Sequence, residues 1–198
     1  MFPEIAKDDV FRLETRRLWL RWPRLSDAPA IERYSSKWEV ARYTAHMPHP
    51  YPKGSAERFI YAAREANSLG RDLTLALTPI ASPRKVVGAI SLERRGLDRL
   101  TLGYALAPEV WGRGYATEAV RAMVDAAFGL TSAAEIEAGV HVENPASRRV
   151  LEKAGFVHVG RGLRGAPARG AMVECDAFAL KRANWAARSE APALEAAS

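Results

Sequence analysis

The stretch that most constrains this chain runs from Arg99 to Ala119, RLTLGYALAPEVWGRGYATEA. Leu100, Leu102, Tyr104 and Leu106 alternate with Thr101, Gly103 and Ala105, the period of a β-strand. Pro108 ends the strand, and from Thr117 the sequence TEAVRAMVDAAFG reads as helix. Between them lie Trp111, Gly112, Arg113, Gly114, Tyr115 and Ala116. Glycines just ahead of a helix let bare backbone approach a ligand. The N–H groups of the first helical turn have no intrahelical partner and carry the positive end of the dipole. Strand, glycine loop and helix together predict an anion cradle, most naturally for phosphate.

Two common phosphate loops do not fit. A P-loop ends in Gly-Lys-Ser/Thr, whereas Thr117 follows Ala116 here. A dinucleotide fingerprint needs Gly or Ala where Thr117 stands, and it usually opens the first βαβ unit rather than lying past mid-chain. The string instead resembles the acyl-CoA loop of the GNAT superfamily of N-acetyltransferases, Arg/Gln-x-x-Gly-x-Gly/Ala. Gly114 and Ala116 take its small positions, and Trp111 stands at its Arg/Gln position. PEVWGRGYATEA and LETRRLWLRWPRLSDAPAI are similar to the RimJ/RimL-like branch, which acetylates ribosomal-protein N-termini. A second motif, HVENPASRRVLEKAGF from His141 to Phe156, resembles the same family's N-x-x-S…K-x-G-F string. The likeness spans Thr15 to Trp185.

The rest of the chain predicts elements around these motifs. Residues 1–12 read as irregular, followed by a strand over 18–22. A helix runs from Ser26 to about Lys37, and a second one follows Ser55 as its cap and ends at Gly70. Between these helices, YTAHMPHPYPK over 43–53 holds three prolines and reads as a long loop. Strands are expected at 72–78, 85–93, 100–106, 136–142, 156–163 and 173–181, with helices at 117–128 and from Asn144 to Lys153. A strand, crossover helix and strand make 100–106 and 136–142 parallel. The resemblance implies an α/β (α+β) GNAT fold. Its sheet is mixed, mostly antiparallel and twisted, with about seven strands, about four helices and a splayed central parallel pair. The expected division is a 1–14 extension, a 15–185 acetyltransferase domain and a disordered 186–198 tail.

Composition narrows the function further. At 198 residues, with 48% hydrophobic and 26% charged residues, the chain suits one ordinary globular domain. Cys175 is the single cysteine, so no intrachain disulfide is possible, and no Cys/His spacing suits a metal. No signal-peptide segment or apolar run of the ~20 residues needed for a membrane span is evident. A cytoplasmic protein with no membrane partner is expected. The net charge of +6 comes from scattered pairs such as Arg16-Arg17 and Arg148-Arg149. With no nucleic-acid-binding motif, direct binding of nucleic acid is not expected; coenzyme A is itself a polyanion. The protein is expected to act as a monomer or homodimer.

The resemblance implies acyl transfer from acetyl-CoA to a primary amine, a protein N-terminus or a small molecule, by direct attack in a ternary complex. It implies that Leu106, Trp111, Gly112, Arg113, Gly114, Tyr115, Ala116, Thr117, Asn144 and Ser147 bind acetyl-CoA. Tyr104 and Ser147 are candidates to assist the departing thiolate. Glu93, Glu137 and His141, with Glu143 and Glu174 behind them, are candidates to take the amine's proton. His46 and His49 lie in the proline-rich loop on the expected acceptor side. A Glu common in the branch is replaced by Thr101. The alternative reading is therefore a non-catalytic acyl-CoA-binding or ribosome-associated module on the same fold.

Overall fold

A computed structural model describes residues 2–190. Its centre is one eight-stranded sheet. Strand β1 (Arg12–Glu14) and strand β2 (Leu18–Arg21) pair antiparallel. Residues 1–12 are therefore not wholly irregular: a 3-10 turn covers Glu4–Lys7, Phe2 is buried, and Leu13 sits opposite Leu20. A three-residue strand is too short to show alternation.

The helix expected from Ser26 to Lys37 is divided. A 3-10 turn at Leu25–Asp27 leads into α1 (Ala28–Ser35), and Lys37, in extended conformation, separates it from α2 (Trp38–Ala41). Ser26 does not cap it, and the Asp27 carboxylate is engaged elsewhere. It accepts two hydrogen bonds from the buried Arg21 guanidinium, at 2.8 and 2.9 Å, and one from the Arg24 N–H. Helix α3 (Ser55–Ser68) starts behind Gly54, whose φ of +79° makes it the N-cap instead of Ser55. The loop before it has no helix or strand, as its prolines require.

Strands β3 (Leu73–Pro79), β4 (Gly88–Arg94) and β5 (Arg99–Leu106) form an antiparallel meander on β2. Helix α4 (Tyr115–Leu130) crosses over to β6 (Glu135–His141), which lies parallel to β5. Helix α5 (Pro145–Ala154), strands β7 (Val157–Ala166) and β8 (Ala171–Lys181), and helix α6 (Arg182–Glu190) complete the described residues. The order is β1-β2-β3-β4-β5-β6-β8-β7, antiparallel everywhere except β5–β6. This is the mixed, mostly antiparallel sheet expected, with one more strand. Part of the tail expected to be disordered is helical through Glu190, and 191–198 lie outside the described residues.

Each face of the sheet has its own core. On one face, Leu75, Leu102 and Ile136 pack under Met123 and Phe128 of α4 and Leu151 of α5. On the other, Ala76 meets Ile31 and Tyr34 of α1 and Ile60 of α3. The Arg182 guanidinium donates to the carbonyls of Phe128, Thr131 and Ala133, closing the C-terminal end of α4. Among the described residues, no helix is long and apolar enough to cross a membrane, and no His/Cys/Asp/Glu group suits a metal ion.

Candidate active site

The site begins where two strands part. β5 and β6 pair only at Arg99↔Glu135, Leu100↔Ile136 and Thr101↔Glu137. Beyond these, β5 runs on to Leu106 alongside β4, and β6 to His141 alongside β8. A cleft of about 1330 Å³ opens there, lined by both arms, the 110–117 loop, the start of α5 and the 43–47 segment.

At one end of the cleft, Gly112 and Gly114 have φ of +74° and +77°, which favour glycine. Helix α4 starts at Tyr115, two residues earlier than the sequence suggests, because left-handed Gly114 is its N-cap. The first intrahelical bond runs from the Glu118 N–H to the Gly114 carbonyl. The N–H groups of Tyr115, Ala116 and Thr117 therefore lack intrahelical acceptors and carry the positive end of the dipole. A Cβ on Gly112 would meet nothing within 4 Å, so this backbone is open to a ligand. Trp111 donates its indole N–H to the Leu106 carbonyl at 2.9 Å, fastening the loop to the end of β5.

A brace of this loop has no motif of its own in the sequence. Arg17 donates to the Arg113 carbonyl at 2.9 Å and to Glu118 at 2.7 Å, and its guanidinium lies over the Tyr115 ring. The Glu118 carboxylate also accepts from the Thr15 hydroxyl and the Arg17 backbone N–H. Burial opposes its charge, yet these bonds win and hold it below the usual carboxylate range. The only sequence signal is the basic pair at 16–17, which resembles any surface pair.

On the side of the cleft, the Tyr104 hydroxyl lies 2.8 Å from Ser147 Oγ. Burial pushes the Tyr104 phenol up to about 12, with the Ser147 hydrogen bond partly opposing it. Asn144 Oδ1 accepts from the Ser147 N–H at 3.1 Å, as a helix cap should. That leaves its NH₂ group without a partner among the described residues.

The proton-acceptor candidates separate. Glu93 lines the cleft directly across from Thr101, with Arg95 at 3.3 Å. His141 lines it too, but its Nδ1 accepts from the Glu143 N–H at 3.2 Å, so the neutral ring keeps its proton on Nε2. Glu137 pairs with Arg99 and Glu143 with Arg42. Glu174 is not among the cleft-lining residues. Of the two loop histidines, His46 faces the cleft, whereas His49 packs on Trp38 instead. Cys175 is buried, and burial pushes its thiol pKa up. Arg169, from the β7–β8 turn, holds the loop in place through the carbonyls of Ala41 and Thr44.

Comparisons with known proteins agree with this geometry. Residues 17–157 match the family described as Acetyltransferase (GNAT) domain. The chain is 27% identical over 176 residues to an uncharacterized N-acetyltransferase, p20, of Bacillus licheniformis, covering 88% of this chain and 98% of that one. Its fold is similar to an acetyltransferase (GNAT family) from Bacillus anthracis, with a TM-score of 0.75 and 22% identity, covering 87% and 99% of the two chains. It is also similar to Mycobacterium smegmatis RimJ in complex with CoA-disulfide, with a TM-score of 0.71 and 23% identity, covering 87% and 89%.

Proposed function

Because the chain belongs to the GNAT acetyltransferase family, we propose that it transfers acetyl from acetyl-CoA to a primary amine by direct attack in a ternary complex. The observation that carries this reading is the parted β5–β6 pair, with a bare helix start at one end and the Tyr104–Ser147 pair at its side. The likeness of PEVWGRGYATEA supports the RimJ/RimL-like branch, whose acceptors include protein N-termini; small-molecule amines are the other class of acceptor.

The residues present fit acetyl-CoA. The backbone of Gly112 to Thr117 takes the pyrophosphate, with Trp111 and Leu106 fixing the loop and the Asn144 NH₂ facing the pantetheine amides. Acetyl-CoA supplies a thioester carbonyl for the attacking amine. Backbone N–H groups along the parted arm of β5 hold the resulting oxyanion. Glu93 takes the amine's proton, directly or through water, from its place across from Thr101. His141 is less suited, because its free lone pair already serves the Glu143 N–H.

At the leaving group, the raised Tyr104 pKa changes the expected role. With the phenol at about 12 and an ordinary thiol at about 8.5, complete proton transfer is uphill by roughly 5 kcal/mol. Tyr104 therefore donates a hydrogen bond to the developing thiolate, and Ser147 orients it through the 2.8 Å contact. Steady-state turnover with acetyl-CoA and a panel of peptide and small amines tests this. Acceptor-dependent CoA release is expected. Tyr104→Phe should lower kcat and kcat/KM together by about ten- to a hundredfold, with acetyl-CoA affinity little changed. Tight CoA binding with no acceptor-dependent release would favour the non-catalytic module.

A further inference from the structure

Six cations, Arg58, Arg95, Arg149, Lys153, Arg164 and Arg169, line the cleft against two carboxylates, Glu39 and Glu93. Most of these cations are already engaged or face the CoA end. Arg95 pairs with Glu93, Arg169 bonds the carbonyls of Ala41 and Thr44, and Arg58 bonds Ser55 Oγ. Lys153 borders Gly114 and Thr117, and Arg149 lies one helical turn before it. Arg164 shares with the Arg149 and Lys153 side chains the lack of a partner among the described residues, but it stands on β7 rather than on α5. Among the described residues, nothing forms a hydrogen bond or ion pair with its guanidinium. Its strand neighbour Arg161, by contrast, bonds the buried Asp176 at 2.7 Å.

The sheet register shows where Arg164 lies. Gly162 pairs with Cys175, Arg164 with Val173, and Cys175 in turn with His141, so these residues share one face. Gly139 is on that face as well. A Cβ built on Gly139 would come within 3.3 Å of Arg164 Cδ and 3.4 Å of its Nε. The arginine therefore reaches across β8 and lies over the parted arm of β6. Gly139 does not have the positive φ that would itself demand glycine; what its missing side chain leaves is room for Arg164. It stands two residues, about 7 Å, past Glu137, the last position at which β6 pairs with β5. An amine reaching a thioester between the arms would pass beneath this guanidinium.

We propose that the acceptor is an amine that also carries an acidic group, a carboxylate or a phosphate, and that Arg164 binds that group. The proposal rests on the acetyltransferase reading and narrows its substrate class. A free guanidinium presents a fork matched to a carboxylate or phosphate. The cationic lining steers such acceptors inward and disfavours polyamines and strongly basic N-termini. The same field favours the neutral form of the attacking amine. Gly139 lies against the Arg164 side chain, and the small residues Gly103 and Ser91 line the same cleft, which leaves room for a compact acceptor.

Paired acceptors test this: alanyl-alanine against its C-terminal amide, and phosphoethanolamine against ethanolamine. In the unaltered protein, at least one acid should exceed its neutral partner in kcat/KM by about ten- to a hundredfold. The responding pair identifies carboxylate or phosphate. Arg164→Gln should bring that ratio near one, and Arg164→Lys should restore part of it, with acetyl-CoA affinity reporting that both variants are folded. Ratios near one in the unaltered protein, a preference for spermidine, or a ratio that survives Arg164→Gln would each overturn the proposal. Calorimetry with the acetylated products, acid against amide, separates it from the reading beneath. Acid-selective, Arg164-dependent binding without turnover would keep the anion site and remove the acetyltransferase reading. Turnover with no acid selectivity would do the reverse, and the absence of both would remove both.

Discussion

Gly114→Ala tests the phosphate loop through backbone geometry alone. The residue has φ of +77°, where an L side chain costs about 1–2 kcal/mol. Its new Cβ would lie 3.3 Å from Arg17 Nη2, the far end of a flexible side chain that can shift by a few tenths of an ångström. Backbone strain therefore outweighs the steric contact. Against a typical domain stability of about 5–15 kcal/mol the variant stays folded. At about 2–4 °C per kcal/mol its melting temperature falls by about 2–8 °C. Binding should suffer more. Relief of the strain turns the N–H groups of Tyr115 and Ala116 away from the phosphate position. Each N–H bond to a charged group is worth about 1.5–3 kcal/mol, so losing one weakens CoA by about ten- to 150-fold.

The assay is calorimetric CoA binding, together with kcat/KM for acetyl-CoA and for acetyl-pantetheine, which lacks the pyrophosphate. Only acetyl-CoA should lose ground. Gly129→Ala is the control, since that glycine is exposed on α4 with no atom within 4 Å of its would-be Cβ. It should gain about 0.5–1 kcal/mol of stability and leave CoA affinity unchanged. A folded Gly114→Ala protein that binds CoA normally, or loses acetyl-pantetheine equally, would refute the placement of the pyrophosphate.

Other consequences follow from the same structure. Glu118 titrates below its ordinary value in the folded protein, so its contribution is complete above an unfolded pKa of about 4.3 and is lost as pH falls through the folded value. The gap in urea midpoint between the unaltered protein and Glu118→Gln should be constant above pH ~5 and close at lower pH; a gap that widens on acidification would contradict this. Asp27→Ala leaves the buried Arg21 without its paired carboxylate and should cost about 3–5 kcal/mol in denaturant unfolding. Replacing residues 43–53 with a Gly/Ser linker should change acceptor preference while CoA affinity holds, because Tyr43, His46 and Met47 line the cleft without belonging to the phosphate loop. Collapse of CoA affinity with acceptor preference intact would show the two sides reversed.

What can be read from the sequence is local. The alternation at 100–106, the glycines at 112 and 114 and the Asn-Pro start of α5 each carry their signal within a few residues, and each element forms. The start of α4 moves by two residues because Gly114 itself is the cap, which composition alone does not show. Ahead of α1, Arg21, on another element, draws the Asp27 carboxylate away from the cap position. Arg17 and Glu118 meet across 101 positions of chain, and Arg164 reaches Gly139 only through an intervening strand. Pairings of this kind leave no periodic trace. Glu93 stands out in the sequence as a candidate, but its place directly across from Thr101 needs the register.

The parting of β5 and β6 is the step from which the proposed function follows, and its physical cause lies in the outer neighbours. β4 holds β5 from Arg94↔Leu100 to Gly88↔Leu106, and β8 holds β6 from Glu135↔Lys181 to His141↔Cys175. Each arm is thus fixed from outside over its whole length, while the inner edges are joined only over Arg99–Thr101. Past Thr101 the inner backbone groups of both arms face a gap. Unpaired strand edges are costly inside a protein and are normally covered or paired. Here the Tyr104–Ser147 contact ties β5 to α5 on one face, and Gly103 and Gly139 keep the gap free of bulk on the other. Under the proposed function, an extended ligand rich in amides would lie there as an added strand with its phosphates at the helix start. An unbroken alternation on both strands would read identically for a closed sheet. The cleft is therefore a property of register, visible only once each strand has found its outer partner.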